Sequence, residues 1–200
     1  MRTEITRRRF IATSTASASI LLLTPMQSHA QGLTYIGEFK FISSSGRLLQ
    51  AYTNGEMHAS QDRDHVGSEE RWRMFRWPDG KISFENYRSN SWLCAEPNGK
   101  AVCDRERAGP WEQWMVYSNT DRTTVSFKSA HGRWLTAQPP GENARPWDQG
   151  EVAADRLNVG PWEQFSMVPT IGGPMPNDWW KNAAAVIRTA AELAPILAGL

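Results

Sequence analysis

The 200-residue chain has little of what several common classes of protein need. Two cysteines are too few for a disulfide framework, so stability must come from a packed core. A formal net charge of +1 provides no field for binding nucleic acid. The four histidines stand at no spacing typical of a metal site, and no catalytic or phosphate-binding motif occurs. The sequence therefore predicts no metal, no cofactor and no catalytic residue.

Tryptophan, in contrast, is abundant. The apolar fraction of 40% and the charged fraction of 22% are those of an ordinary globular protein, which excludes a disordered chain. Ten tryptophans are more than a core of this size needs. The positions of these side chains are therefore where a binding function has to be sought.

Residues 1–30 have the three-part layout of an export signal. A basic start is followed by an apolar stretch from Ile11 to Leu23 and by small residues up to Ala30. The apolar stretch is too short and too weakly hydrophobic for a membrane span, which needs about 20 strongly apolar residues. We therefore expect a periplasmic or secreted protein without a transmembrane segment in its mature chain.

The basic start also resembles the twin-arginine export motif. Arg7 and Arg8 precede a polar residue, which is followed by Phe10 and an aliphatic side chain. This resemblance implies export of the folded protein across a bacterial inner membrane. The alternative is an ordinary export signal that contains three arginines.

One sequence pattern occurs three times in the rest of the chain. Each copy opens with a short motif, at Gly46–Ala51, Asn90–Ala95 and Gly132–Ala137. An Asp-Arg pair follows, with a glycine four residues after the arginine, at Asp62-Arg63, Asp104-Arg105 and Asp155-Arg156. Each copy ends in a closing segment, at Ser68–Trp72, Pro110–Trp114 and Pro161–Phe165. Agreement at this many positions indicates a threefold internal duplication.

The repeats have the pattern of short strands. Apolar residues alternate with polar ones, which is the period of a half-buried strand, and turn signals such as Asn54-Gly55 and Pro97-Asn98-Gly99 separate the segments. One copy is too small to bury its own apolar face. The sequence therefore predicts a closed all-β structure with threefold pseudo-symmetry.

These motifs together resemble the fascin-like β-trefoil of the actin-crosslinking superfamily. The resemblance covers residues 35–168, in repeats of about 35–77, 78–118 and 119–168. It implies twelve strands, of which six form a barrel and six form three capping hairpins. Ricin-type trefoils close each repeat with a Gln-x-Trp signature, and only Glu112-Gln113-Trp114 comes near it, with the glutamine one place too late. The fascin-like branch is therefore preferred.

Alternation assigns the faces of the strands. Leu49, Leu93 and Leu135 lie on one face and are expected to converge in the core, while Leu48, Trp92 and Trp134 lie on the other. In the closing segments, the glutamates share a face with the buried aromatic residues and must be paired. Their expected partners are the repeated arginines, in the pairs Glu70 with Arg63, Glu112 with Arg105 and Glu163 with Arg156.

The candidate binding residues are tryptophans and polar side chains on outward-facing or loop positions. Flat indole faces bind sugar rings through apolar C–H surface. The third repeat carries an insertion, Pro139–Gln149, and long loops on a rigid scaffold often carry function. The predicted ligand contacts are Trp147, Trp134, Trp92, Trp111, Trp162, Arg133, Asn143, Arg145 and Asp148. The alternative for four of these tryptophans is that they cover the base of the barrel or brace the hairpins.

Cys94 and Cys103 flank a tight turn and are candidates for facing positions across a hairpin. In an oxidising compartment, either a disulfide or two buried free thiols is compatible with that arrangement.

The tail divides into two parts. Residues 169–176 are rich in proline and glycine and are predicted to be a linker. Residues 177–198 have the spacing of an amphipathic helix. This helix would pack on its own domain, bind a protein partner or a second copy, or attach peripherally to a membrane.

Three functions follow from these observations. The first is an exported, non-catalytic module that binds a glycan or polysaccharide through the trefoil hairpins and the inserted loop. The second is a protein-binding adaptor like the actin crosslinkers of the family. The third is a small glycan-active enzyme or inhibitor on a trefoil scaffold.

Overall fold

A computed structural model describes residues 32–60, 67–119, 123–142, 145, 148–170 and 187–189. The export segment 1–30, with Arg7, Arg8 and Phe10, lies outside these residues. Thirteen strands are present in the described chain: β1 Thr34–Ser43, β2 Leu48–Ala51, β3 Met57–Ser60, β4 Trp72–Arg76, β5 Ile82–Asn86, β6 Trp92–Ala95, β7 Ala101–Arg105, β8 Trp114–Ser118, β9 Val125–Ser129, β10 Trp134–Ala137, β11 Gly150–Arg156, β12 Phe165–Pro169 and β13 Ile187–Thr189.

Six of these strands close into a barrel. Pairing runs from β1 to β4, from β4 to β5, from β5 to β8, from β8 to β9, from β9 to β12 and from β12 back to β1, antiparallel throughout. The register repeats with the sequence, because Phe39 faces Trp72, Ile82 faces Trp114 and Val125 faces Phe165. The duplication is therefore expressed as three equivalent barrel segments.

The remaining strands of each repeat form three hairpins, β2–β3, β6–β7 and β10–β11. The hairpins contact one another in a ring. The Cys103 amide donates to the Gly55 carbonyl at 2.9 Å, the Ala154 amide donates to the Gly99 carbonyl at 2.8 Å, and β11 pairs with β3 at Gly150 and Ala59. A six-stranded barrel with three hairpins is a β-trefoil, as predicted.

The centre of the core is a cluster of three phenylalanines, one from the opening strand of each repeat. Phe41, Phe84 and Phe127 contact each other pairwise, with ring centroids 5.0–5.2 Å apart and interplanar angles of 72–80°. This edge-to-face geometry brings a positive ring edge to a negative ring face. The three predicted leucines, Leu49, Leu93 and Leu135, are buried in this same core, which confirms that they are core residues.

Buried tryptophans in the closing strands attach the barrel to the hairpins. The Trp72 indole N–H donates to the Leu49 carbonyl at 2.9 Å, and the Trp114 indole N–H donates to the Leu93 carbonyl at 3.3 Å. In the third repeat Phe165 takes this position, and its ring lies 5.6 Å from that of Phe127. The third repeat therefore lacks the buried indole donor, and with it the hydrogen bond that links barrel and hairpin in the other two repeats.

Glycine is required at the tips of two hairpins. Gly99 has φ of +91°, and a Cβ added there would lie 2.9 Å from the Cβ of Asp155. Gly55 has φ of +87°, and its added Cβ would lie 2.8 Å from the Cβ of Asp104. Each tip therefore packs directly on the aspartate of the Asp-Arg pair in the following repeat.

The tail differs from the prediction where it is described. Ile187–Thr189 form strand β13, parallel to β8, at residues within the predicted helix 177–198. β5 begins at Ile82 and pairs with β8 at Trp114, which leaves the backbone of Val116–Ser118 available to another strand on that side. Two of the three β13 residues are β-branched and favour strand. Pro169, the first residue of the predicted linker 169–176, instead ends strand β12. The rest of the predicted helix and linker residues 171–176 lie outside the described residues.

Truncation of the central cluster tests the barrel. Phe84→Ala is expected to lower the free energy of unfolding by about 3–5 kcal/mol, because it removes a buried ring and leaves a cavity on the axis. Leu157→Ala, at a side chain that is 69% exposed, is the control and is expected to change stability by less than about 0.5 kcal/mol. Urea denaturation measures both. Equal effects of the two substitutions would contradict the central role of the cluster.

Substitution of two glycines distinguishes the stability cost of backbone strain from that of close packing. Gly132 has φ of +76° and nothing within 4 Å of an added Cβ, so Gly132→Ala is expected to cost about 1–2 kcal/mol from its left-handed backbone alone. Gly99→Ala adds the clash with Asp155 and is expected to cost about 1–3 kcal/mol more. Denaturation midpoints measure the difference. A Gly99→Ala protein as stable as the Gly132→Ala protein would show that the tip moves without cost.

Candidate binding surface

Two of the predicted ligand contacts are buried. Trp92 and Trp134 are each 2% exposed, so the expectation that they face outward is wrong. The Trp92 ring packs against Phe75 at 5.2 Å, and the Trp134 ring packs against Tyr117 at 5.1 Å. Their strands, β6 and β10, are buried on both faces. Alternation distinguishes the two faces of a strand, but it does not reveal that neighbouring side chains cover the second face.

Trp111 and Trp162 are the exposed indoles of the described chain. Trp111 is 42% exposed and Trp162 is 41% exposed. They occupy equivalent positions on two short 3₁₀ turns, Pro110–Glu112 and Pro161–Glu163, which are called here the Trp111 turn and the Trp162 turn. Both indoles therefore stand at matching surface positions of the second and third repeats.

A buried glutamate holds each turn in shape. The Gly109 amide donates to Glu112 Oε2 at 2.6 Å, and the Gly160 amide donates to Glu163 Oε2 at 2.6 Å. The proline that starts each turn lacks an amide hydrogen, and a first-turn position does not require one. Because the glutamate is directed inward, the tryptophan beside it projects outward.

The predicted pairing of these glutamates with the repeated arginines is seen in one repeat. Arg105 Nε lies 3.9 Å from Glu112 Oε1. Arg156 instead lies 3.4 Å from the carboxylate of its neighbour Asp155, and Arg63 lies outside the described residues. In the first repeat the Gln50 side chain donates to Glu70 Oε1 at 2.7 Å. Glu112 and Glu163 serve mainly as caps for backbone amides.

The Trp111 turn lies against the third repeat. The rings of Trp111 and His131 meet at 5.5 Å with an interplanar angle of 63°. His131 Nε2 is buried and has no hydrogen-bond partner among the described residues. Gln113, the residue directly after the Trp111 turn, accepts a hydrogen bond from Lys81 Nζ at 3.2 Å. The imidazole limits the orientations that the Trp111 indole can adopt.

The Trp162 turn repeats this arrangement with different neighbours. Gln164, equivalent to Gln113, accepts from the Thr124 hydroxyl at 3.1 Å and donates to the Gly160 carbonyl at 3.3 Å. The turn also contacts strand β1 of the first repeat. Each tryptophan turn therefore sits at a junction between two repeats.

The equivalent position of the first repeat has an ion pair in place of an indole. Glu69 takes the place of the tryptophan, and its Oε1 lies 3.9 Å from Arg88 Nε. Arg88 also donates to the Ser68 hydroxyl at 3.5 Å. Two of the three turns therefore present an indole at this position, and the first presents an ion pair.

The last residues of the inserted loop, Asp148 and Gln149, contact the first hairpin region. The Arg47 guanidinium donates to the Asp148 carbonyl at 3.1 Å, and the Gln149 amide donates to the Tyr52 hydroxyl. Arg145 and Asp148 pair with each other, with Nε and Oδ1 3.5 Å apart. Trp147 and Asn143 lie outside the described residues. Arg145 is exposed, whereas Asp148 is half-buried and helps to shape the loop.

Arg133 has a structural contact as well. Its guanidinium donates to the Asp155 carbonyl at 3.0 Å, and so links β10 to β11. His131, Gln113 and Gln164 were not among the binding residues predicted from the sequence. The repeated Glu-Gln after each exposed tryptophan was the available signal for the glutamines, whereas the position of His131 beside Trp111 depends on how two repeats meet.

The two cysteines are free and buried. Cys103 is paired with Leu93 and Cys94 is paired with Val102, so the two thiols point to opposite faces of the hairpin and the disulfide alternative is not formed. Burial raises the pKa of Cys103 to about 12. Burial, and then a hydrogen bond with Glu112, raise the pKa of Cys94 to about 12.

The described residues contain no group of three or more His, Cys, Asp or Glu side chains that could hold a metal ion. No helix long and apolar enough to span a membrane occurs in the described part of the chain.

Comparison with known proteins identifies the fold but does not identify a family. No protein-family model matches the chain, and no curated protein matches it. Among solved structures, the chain is similar to ThreeFoil, a designed threefold-symmetric protein, with 22% identity, a TM-score of 0.53, and coverage of 66% of this chain and 98% of that one. It is also similar to the cytolethal distending toxin of Haemophilus ducreyi, with 16% identity, a TM-score of 0.56, and coverage of 70% and 89%. The chain has a β-trefoil-like fold.

The thiol arrangement predicts slow modification. At pH 8, thiols with a pKa of about 12 are thiolates in about one molecule in ten thousand, and burial also blocks the reagent. Ellman's reagent is expected to detect no fast-reacting thiol in the native protein and two thiols after denaturation without reductant. Absence of both thiols from the denatured protein would demonstrate the disulfide.

Proposed function

We propose that this protein is an exported, non-catalytic module that binds glycans through Trp111 and Trp162. The proposal includes the fascin-like branch of the trefoils, a twin-arginine-type signal in residues 1–30 and a periplasmic or secreted location. The observation that carries it is the exposure of two indoles at equivalent positions. Four other tryptophans of the described chain are, in contrast, at most 2% exposed.

The chemistry of the surface supports a sugar rather than a charged ligand. A pyranose whose substituents are equatorial has flat C–H faces, which lose water favourably against an indole, and hydroxyl groups at its rim. Two cations beside the Trp111 turn already have partners. Lys81, which contacts Gln113, pairs with Asp79 at 2.7 Å, and Arg105, which lies 3.9 Å from Glu112, pairs with Glu96 at 2.9 Å.

The indoles are also preorganised. Each turn is fixed by a buried glutamate, and Trp111 is further restricted by the ring of His131. A side chain already held in its binding orientation loses little entropy when a ligand stacks on it. Trp147, Asn143 and Arg145 of the inserted loop are proposed as additional contacts on the same grounds of residue type and loop position.

A binding panel tests the proposal. Soluble mixed-linkage β-glucan, glucuronoxylan and glycol chitin are titrated into the protein, with tryptophan fluorescence and calorimetry as readouts. Trp111→Ala and Trp162→Ala are each expected to weaken binding at the altered site about tenfold or more, equivalent to about 1.4 kcal/mol, because the stacking surface is lost.

Leu157→Ala is the matched control, because it removes an exposed apolar side chain of the third repeat from outside both turns. It is expected to bind like the unaltered protein. Circular dichroism checks that each variant is folded. The proposal fails if none of the three polymers binds, or if a folded Trp111→Ala/Trp162→Ala double variant binds as the unaltered protein does.

A further inference from the structure

The two tryptophan turns belong to consecutive repeats of one closed barrel. We propose that they are independent sites, and that one molecule thereby bridges two separate polysaccharide chains. This inference rests on the proposed glycan-binding function. It adds the number of binding sites on one molecule and the bridging of polysaccharide chains that follows from that number.

Independence follows from the symmetry of the fold. The three repeats surround the axis marked by Phe41, Phe84 and Phe127, and the two turns occupy equivalent positions in consecutive repeats. Equivalent positions in consecutive repeats of a trefoil are related by one third of a turn about that axis. The two indoles therefore face different directions, and a stiff polysaccharide segment lying on one leads away from the other.

The turns have little freedom to converge on a single ligand. Glu112 and Glu163 are 4–5% exposed and hold their turns through 2.6 Å bonds to backbone amides. The strands that follow, β8 and β12, belong to the closed barrel. Moving either indole toward the other would require breaking a cap and distorting that barrel.

The valence is two because the third junction has a different chemistry. Glu69 stands where the other repeats have tryptophan, and it lies near Arg88 across the junction. An ion pair offers no flat apolar surface for a sugar ring. The exposed Tyr87 ring next to Arg88 is already occupied, because the guanidinium carbons of Arg71 and Arg73 lie 4.0 and 4.7 Å from its centroid. A molecule with two divergent sites links chains in pairs, whereas a molecule with one site only coats them.

Stoichiometry is the first half of the test. Tetrasaccharides prepared from the three panel polymers are too short to link molecules, and are titrated by calorimetry into the full protein. Two tetrasaccharides are expected to bind the unaltered protein and the Leu157→Ala control. One is expected to bind Trp111→Ala or Trp162→Ala with the original affinity, and the double variant is expected to retain no site of that affinity.

Light scattering with the parent polymer is the second half. The unaltered protein is expected to raise scattering to a maximum at an intermediate ratio of protein to polymer, and scattering is expected to fall when protein is in excess and saturates single chains. Each single variant is expected to bind the polymer without raising scattering. The mass of each protein in solution, measured in parallel, is expected to be that of a monomer.

The outcomes distinguish this inference from the proposed function. One tetrasaccharide per unaltered molecule, loss of all binding in either single variant, or scattering that persists in a single variant would overturn divalency while leaving glycan binding in place. Absence of any binding to the tetrasaccharides and polymers would overturn the proposed function itself.

Discussion

The contact of three phenylalanine rings on the barrel axis is the interaction on which the rest of this structure depends. Each ring belongs to a different repeat, so no repeat can bury its own ring without the other two. The edge-to-face geometry satisfies all three pairs at once, because three rings around an axis can each direct an edge at the next face. Closure of the barrel then determines where each hairpin, turn and loop lies.

Outside that core, the same fold position is used in different ways in the three repeats. The buried glutamate and the glycine three residues before it are retained in all three repeats. In each repeat, a Cβ added at that glycine would lie 3.0 Å from Oε2 of the glutamate, which is a close contact. The neighbouring surface residue is glutamate in the first repeat and tryptophan in the second and third. A constrained turn with a variable outward residue is a suitable basis for a binding surface, because the side chain can change while its position stays the same.

Much of the fold was predictable because its determinants are local and repeated. Alternation and turns marked the strands, and three copies implied closure, so the leucines and the barrel were correctly placed. Trp92 and Trp134 were misplaced, because covering the outer face of β6 and β10 requires Phe75 and Tyr117 from other strands. The pairing of Cys103 with Leu93 likewise depends on a register shift in the hairpin between Trp92 and Leu93, which residue spacing does not reveal.

By itself, the amino-acid order determined the number of repeats, the strand content, the core side of each strand and the location of the tight turns, since these follow from periodicity and from residue conformational preference. Only the tertiary structure decided which tryptophans reach the surface, which residue lies beside Trp111, and that Ile187–Thr189 pair with β8. Exposure depends on what neighbouring segments leave uncovered, and segments distant in the chain become neighbours only when the barrel closes.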